Sequence, residues 1–271
     1  MKPKDNILYH YCDELVLNSI LTNNEIWLSD INYMNDSTEL KWARELFIKI
    51  LKDNKDKFTQ EFRFDIINSA LSIDKYLLPL IGCFSMKKDL LSQWRAYAND
   101  GNGFSIGFSS KLIYEGLGVN IKTITYNHKE QEKIILNNLI KLFKIWEKDE
   151  SEFSNSSLKF AVDLNYLKNP YFEEEAEVRI VRLIVKKKGK FTDIGGNSKI
   201  NKIEPLPVLE RERNGDKIRY IKLPIEIPSE QIIKEIIIGP KSNIKKEILI
   251  NMLNKNGIEN VNIIKSKIPY R

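Results

Sequence analysis

The chain has 271 residues, 42% of them hydrophobic and 30% charged, with a net charge of +6. That length and balance describe a soluble globular protein with a sizeable core, in one large domain or two small ones. No apolar run approaches the ~20 residues that a membrane span needs, and the two histidines and two cysteines (His10, His128, Cys12, Cys83) stand in no metal-ligand spacing, so neither a membrane nor a metal is expected. The positive excess follows a general richness in Lys, Ile and Asn. A nucleic-acid partner is permitted by it, not implied. Two unpaired cysteines and an amino end without a secretory pattern suit a reducing cytoplasm.

The first strand pattern is Ile7 to Cys12, ILYHYC, with His10 between two tyrosines. Asp13 is placed to cap a helix over Glu14 to Leu21, Asn23-Asn24 reads as a turn, and Glu25 to Ser29 as a short strand. After a loop over Ile31 to Asp36, Asp36 with Glu39 three residues on has the form of a capping box, opening a helix that runs to about Leu51. Glu61 to Leu71 is a second helix. Together these form a helical insertion over about 35–75 with no chemistry of its own.

Leu77 to Ser85 is a continuous apolar run of strand length, and Leu90 to Ala98 is helical. The glycines at 101, 103 and 107 suggest a dinucleotide fingerprint only superficially. That motif requires strand, glycines, then helix, and here the order is helix, glycines, strand, so a tight turn into Phe104 to Phe108 is expected. Val119 to Tyr126 reads as a strand and Lys129 to Lys148 as a long amphipathic helix. Asp149 to Ser157 looks like a polar bend, and Leu158 to Leu167 like a further helix.

Asn169 to Val185, NPYFEEEAEVRIVRLIV, carries the strongest functional signal. If the strand starts near Glu175, period-two alternation puts Glu175, Glu177 and Arg179 on one face and Ala176, Val178 and Ile180 on the other. Such a face is either a solvated sheet edge or an acidic pair at the mouth of a cleft. Lys186 to Lys190 is a solvated basic turn, and residues 195–215 are loop with short strands. Strands over Lys217 to Pro224, Ile232 to Ile238 and Val261 to Ser266, with a helix over Asn243 to Leu253, complete the chain. Strands and helices lack a steady βαβ beat, which gives an α+β fold, read as one domain over 1–271.

These motifs resemble a mostly bacterial family known as domain of unknown function 2971. They are Tyr9-His10-Tyr11, Ile26 to Ser29, Asn35-Asp36 with Glu39, Cys83 to Ser85, Trp94 and Tyr97, Gly103 to Phe108, Phe172 with Glu175, Glu177 and Arg179, Ile236 to Pro240, and Ser266 to Arg271. More remotely the layout is similar to ADP-ribosyltransferases, which place a His or Arg on the first strand, a Ser or Tyr on a second, and a Glu, often as E-x-E, on a later one. That resemblance implies a split mixed β-sheet core with helical insertions and NAD as substrate. It assigns catalysis to Glu177 with Glu175 in support. NAD binding falls to His10, Tyr11, Ser85, Trp94 and Tyr97, with Arg179 as a pyrophosphate or carboxylate partner. It also implies transfer to a protein or nucleic-acid acceptor, as in a toxin or phage-defence effector. The alternative is a nucleic-acid-binding or regulatory module of a defence or mobile-element system, in which the acidic pair is structural and paired to Arg179 or Arg182.

Overall fold

The capping residues act where the sequence places them. Asp13 accepts from Val16 N at 2.8 Å to open the first helix, and Asn24 closes it in a left-handed conformation. Asn127 and Asp149 cap two later helices in the same way, through Glu130 N and Glu152 N. The structure, a computed structural model, describes residues 5–34, 39–198 and 202–270. Its strands are β1 (Ile7–Cys12), β2 (Glu25–Asp30), β3 (Leu77–Ser85), β4 (Phe104–Ser109), β5 (Asn120–Thr123), β6 (Glu177–Lys187), β7 (Lys190–Asp193), β8 (Gly196–Asn197), β9 (Lys202–Ile203), β10 (Leu209–Arg213), β11 (Asp216–Pro224), β12 (Ile233–Ile238) and β13 (Asn262–Lys265). Its helices are α1 (Glu14–Asn23), α2 (Glu39–Asp53), α3 (Gln60–Leu71), α4 (Leu91–Tyr97), α5 (Ser110–Gly116), α6 (His128–Trp146), α7 (Glu150–Asp163) and α8 (Lys246–Lys255).

The fold is α+β, as expected, with a mixed and mostly antiparallel sheet. Among the described residues, eleven strands join in the path β10-β11-β2-β3-β1-β4-β12-β13, with β6 against β3, and β5 and β7 against β6. Of the strand pairs among the described residues, only β12 and β13 run parallel. Strand β3 organises the rest. One of its edges pairs with β6 over its whole length, from Leu77 opposite Val185 to Ser85 opposite Glu177. The other edge is shared. β2 meets it at Leu80 and Ile81, and β1 only at Ser85. Between these contacts the sheet forks, and Gly82, Cys83 and Phe84 face the gap.

One face of the sheet packs on α1, α5 and α8 around Leu17, Leu28, Ile106, Ile113, Ile180 and Leu249. The helices form a second core. The insertion expected over about 35–75 does not stand alone, because α6 and α7 join α2 and α3 around Phe47, Phe62, Ile66, Leu139 and Phe160. At roughly 25 cal/mol per Å² of apolar surface, each such aromatic contributes about 2–3 kcal/mol on burial.

Several expectations are corrected. Asp149 to Ser157 is not a bend but the first half of α7. Its buried residues Phe153, Ser157, Phe160 and Ala161 recur at helical spacing, a narrow stripe diluted by serines and glutamates. Helix α5, capped by Ser109, falls in a stretch to which the sequence reading assigns no element, and the strand over Val119 to Tyr126 shortens to β5. Asp36, the capping residue expected to act with Glu39, lies outside the described residues. The basic run at 186–190 is the tight turn between β6 and β7, where Lys188 and Gly189 both take positive φ, the geometry a two-residue hairpin requires.

Candidate functional site

The fork in the sheet opens into a cleft of about 400 Å³, within the size range of small-molecule sites. His10 comes to it from β1. Glu175 and Glu177 come from the segment that enters β6, Tyr97 from the end of α4, and Tyr11 from β1. These residues are far apart in sequence, yet the topology brings them together. Tyr9, Ser85 and Glu177 form one cross-strand row, since Ser85 is the register partner of both Tyr9 and Glu177. The first strand therefore lies one strand away from the E-x-E stretch.

His10 alternates to the face opposite that row, towards Phe84, whose ring centroid lies 5.7 Å from its own. It still lines the cleft, because the fork leaves room for it. Its Nδ1 lies 3.2 Å from the Cys83 carbonyl. A carbonyl only accepts, so Nδ1 carries the proton and Nε2 keeps its lone pair in the neutral ring. Burial lowers the His10 pKa, outweighing the hydrogen bond to Cys83, which raises it.

The acidic stretch differs from its expected form. Residues Pro170–Glu175 make a 3-10 turn, Ala176 takes a left-handed conformation at φ 46°, and β6 begins only at Glu177. Strand alternation therefore joins Glu177 to Arg179 but not to Glu175. Glu175 reaches the same place by another route, through Lys168. The buried Lys168 amine lies 2.6 Å from Glu175 Oε2 and 2.9 Å from Glu177 Oε2. On its other side Glu177 Oε1 accepts from Arg179 Nε at 2.6 Å, and Oε2 from Arg179 Nη2 at 3.1 Å. Arg179 Nη1 donates to the Asn165 carbonyl at 2.7 Å.

Burial alone would raise the Glu177 pKa. Arg179, by charge and by hydrogen bond, and then Lys168 and the Cys83 thiol reverse this, and the carboxyl is held at about 2. Glu177 is thus a fixed anion at neutral pH. Glu175 also accepts from Tyr97 Oη at 3.3 Å.

The remaining predicted residues are near the cleft without lining it. Ser85 braces the acidic turn, donating to the Glu175 carbonyl at 2.7 Å and accepting from Lys87 N at 3.0 Å. Trp94 is fully buried behind Tyr11, its ring 4.9 Å away, with Nε1 donating to Asp89 at 2.7 Å. Arg179 lies beneath Glu177 rather than in the cleft wall, 1% exposed. Sequence reasoning missed Lys168, Trp27, Arg211 and Arg213, all of which line the cleft. Lys168 gave no signal, as it belongs to neither helix nor strand. The alternation in Leu209 to Arg213, LERER, does place Arg211 and Arg213 on one face and was there to be read.

As chemistry, the arrangement offers a fixed carboxylate, a neutral imidazole and a second carboxylate with a phenol beside it. That set suits the stabilisation of a developing positive charge and the orientation of a nucleophile. Among the described residues no group of three or more His, Cys, Asp or Glu is arranged to hold a metal, and no helix is long and apolar enough to cross a membrane. No curated protein and no solved structure matches the chain. Residues 93–180 match the model of a family described as a protein of unknown function (DUF2971). The match spans the stretch that holds Trp94, Tyr97, Lys168, Glu175, Glu177 and Arg179.

Proposed function

We propose that this protein is an NAD-consuming enzyme of ADP-ribosyltransferase type. It cleaves the bond between nicotinamide and ribose and passes ADP-ribose to a protein or nucleic-acid acceptor, or to water. The single observation that carries the reading is that His10 and Glu177, 167 positions apart in the chain, line one cleft opened by a fork in the sheet. The fork itself agrees with the split sheet of that fold. In this reading Glu177 stabilises the positive charge that builds on the ribose carbon as nicotinamide leaves. Glu175, beside Tyr97, orients the acceptor nucleophile. His10 anchors the nucleotide through its Nε2 lone pair.

The test is nicotinamide release from NAD by the wild-type chain and by Glu177→Gln. The variant keeps the side-chain shape and loses the charge. We expect release to fall by a factor of about 10²–10³, with the far-ultraviolet circular dichroism unchanged. Wild-type turnover in the variant would sink the reading.

One observation favours a second reading. Glu175 and Glu177 are matched by Lys168 and Arg179, so the cluster is neutral overall. Structural ion-pair networks perturb pKa values as catalytic sites do. On that view the cluster fixes the entry to β6, and the chain is a regulatory or nucleic-acid-binding module. No nicotinamide release from a well-folded wild-type chain would favour it.

A further inference from the structure

At the other end of the same cleft an aromatic surface is held rigid without being covered. Trp27, on β2, is 39% exposed. Its ring is stacked on Tyr220 of β11, with centroids 4.6 Å apart and planes 27° from parallel. The two strands pair with Ser29 opposite Tyr220 and Trp27 opposite Lys222, so the stack is a diagonal cross-strand contact. Trp27 Nε1 donates to Glu25 at 3.1 Å, which pins the ring in its own plane. Lys222 pairs with the same carboxylate at 3.0 Å, its amine 5.4 Å from the Trp27 ring centroid.

Beside the stack stands Arg211, from β10. Its guanidinium carbon lies 5.4 Å from the Trp27 ring centroid and 5.7 Å from that of Tyr220. Nη2 donates to Ser29 Oγ at 3.2 Å, while the buried Nε meets no acceptor among the described residues. Arg211 lines the cleft. Arg213, two residues on and on the same face, also lines the cleft. A rigid, partly exposed indole next to two guanidiniums has the elements of nucleotide recognition. The base stacks on the ring, and the phosphate oxygens take charge-assisted hydrogen bonds from the arginines.

We infer that Trp27, Arg211 and Arg213 form a subsite for the adenylate half of the dinucleotide, with adenine on Trp27 and its phosphate on the arginines. This rests on the NAD reading above for the identity of the base, and it gives the cleft a direction. Nucleotide enters along β2 and β10, and the bond to be broken lies at Glu177. The ring's fixed position lowers the entropy lost on binding.

The test is calorimetric titration of AMP and of ADP-ribose into the wild-type chain, Trp27→Ala, Trp27→Phe and Arg211→Gln, alongside the KM for NAD. AMP should bind the wild type. Trp27→Ala should weaken it at least tenfold, Trp27→Phe should recover most of the loss, and Arg211→Gln should weaken it and flatten its salt dependence. AMP binding that needs Trp27 in a wild-type chain releasing no nicotinamide would leave the subsite standing and remove the NAD reading. NAD turnover with an unchanged KM in well-folded Trp27→Ala and Arg211→Gln would do the reverse. Wild type that ignores AMP and ADP-ribose overturns the subsite, and tight oligoadenylate binding alongside that result would assign the surface to a polynucleotide.

Discussion

The two ends of the cleft are built on opposite principles. At the β6 end, Lys168, Glu175, Glu177 and Arg179 hold one another in a neutral, buried network. At the β2–β10 end, Trp27 is half open and Arg211 carries a buried nitrogen without a partner among the described residues. The first end is costly to disturb and barely needs a ligand to be ordered. The second tolerates change and gains from a ligand. Charge set in place beforehand suits the chemical step, where reorganisation is the main expense. Open stacking surface suits binding, where affinity comes from contacts made on arrival.

The strongest way to break this contrast is to remove one member of the network. Arg179→Met leaves Glu177 buried beside one cation instead of two, and should lower unfolding free energy by about 3–5 kcal/mol in urea titrations. A loss below about 1 kcal/mol would mean that the β6 end is no more committed than the surface. Acid should expose the same commitment. Glu177 has its pKa lowered from 4.5 to about 2, so its stabilising contribution is complete above pH 4.5 and is lost as pH falls towards 2. The amount is roughly 3 kcal/mol. His10, whose pKa is lowered below 6.5, acts in the same direction from higher pH, because the unfolded ring takes up a proton that the buried one resists. Thermal melts from pH 7 to pH 3 should fall steadily in wild type, and less steeply below pH 4.5 in Glu177→Gln. The smallest effect is expected at the open end. Arg211→Ala should cost under about 1 kcal/mol of stability, and a larger loss in urea would show that Arg211 is part of the scaffold.

Much of the fold was legible because its signals are local. Asp13 acts on backbone three residues away, Asn24 closes its helix by its own conformation, and apolar periodicity located most strands and long helices. Helix α7 was obscured because its apolar stripe is interrupted by serines and its first turn is acidic. The site was legible in part. His10, Tyr97, Glu175 and Glu177 line one cleft, yet the argument for Glu175 was wrong in its geometry. A left-handed Ala176 breaks the strand on which alternation depended, and no local pattern announced that conformation at an alanine. Lys168 and Trp27 were missed for a different reason. Lys168 matters through two carboxylates brought back to it across a 3-10 turn, and Trp27 through Tyr220 and Arg211, distant partners that one strand of sequence cannot display.

The fork at β3 has a consequence of its own. A sheet ordinarily keeps its unpaired backbone on the outer strands, where it invites unwanted association. Here a short stretch of strand edge is enclosed within the molecule, with the Cys83 carbonyl taken up by the His10 ring. Part of the cleft floor is therefore main chain, and its polarity is independent of side-chain identity. Substitution around it can alter which molecule is accepted, but the floor's capacity to form hydrogen bonds persists for as long as β1 and β2 diverge. The polarity of the cleft floor is inherited from the topology, and the side chains only tune it.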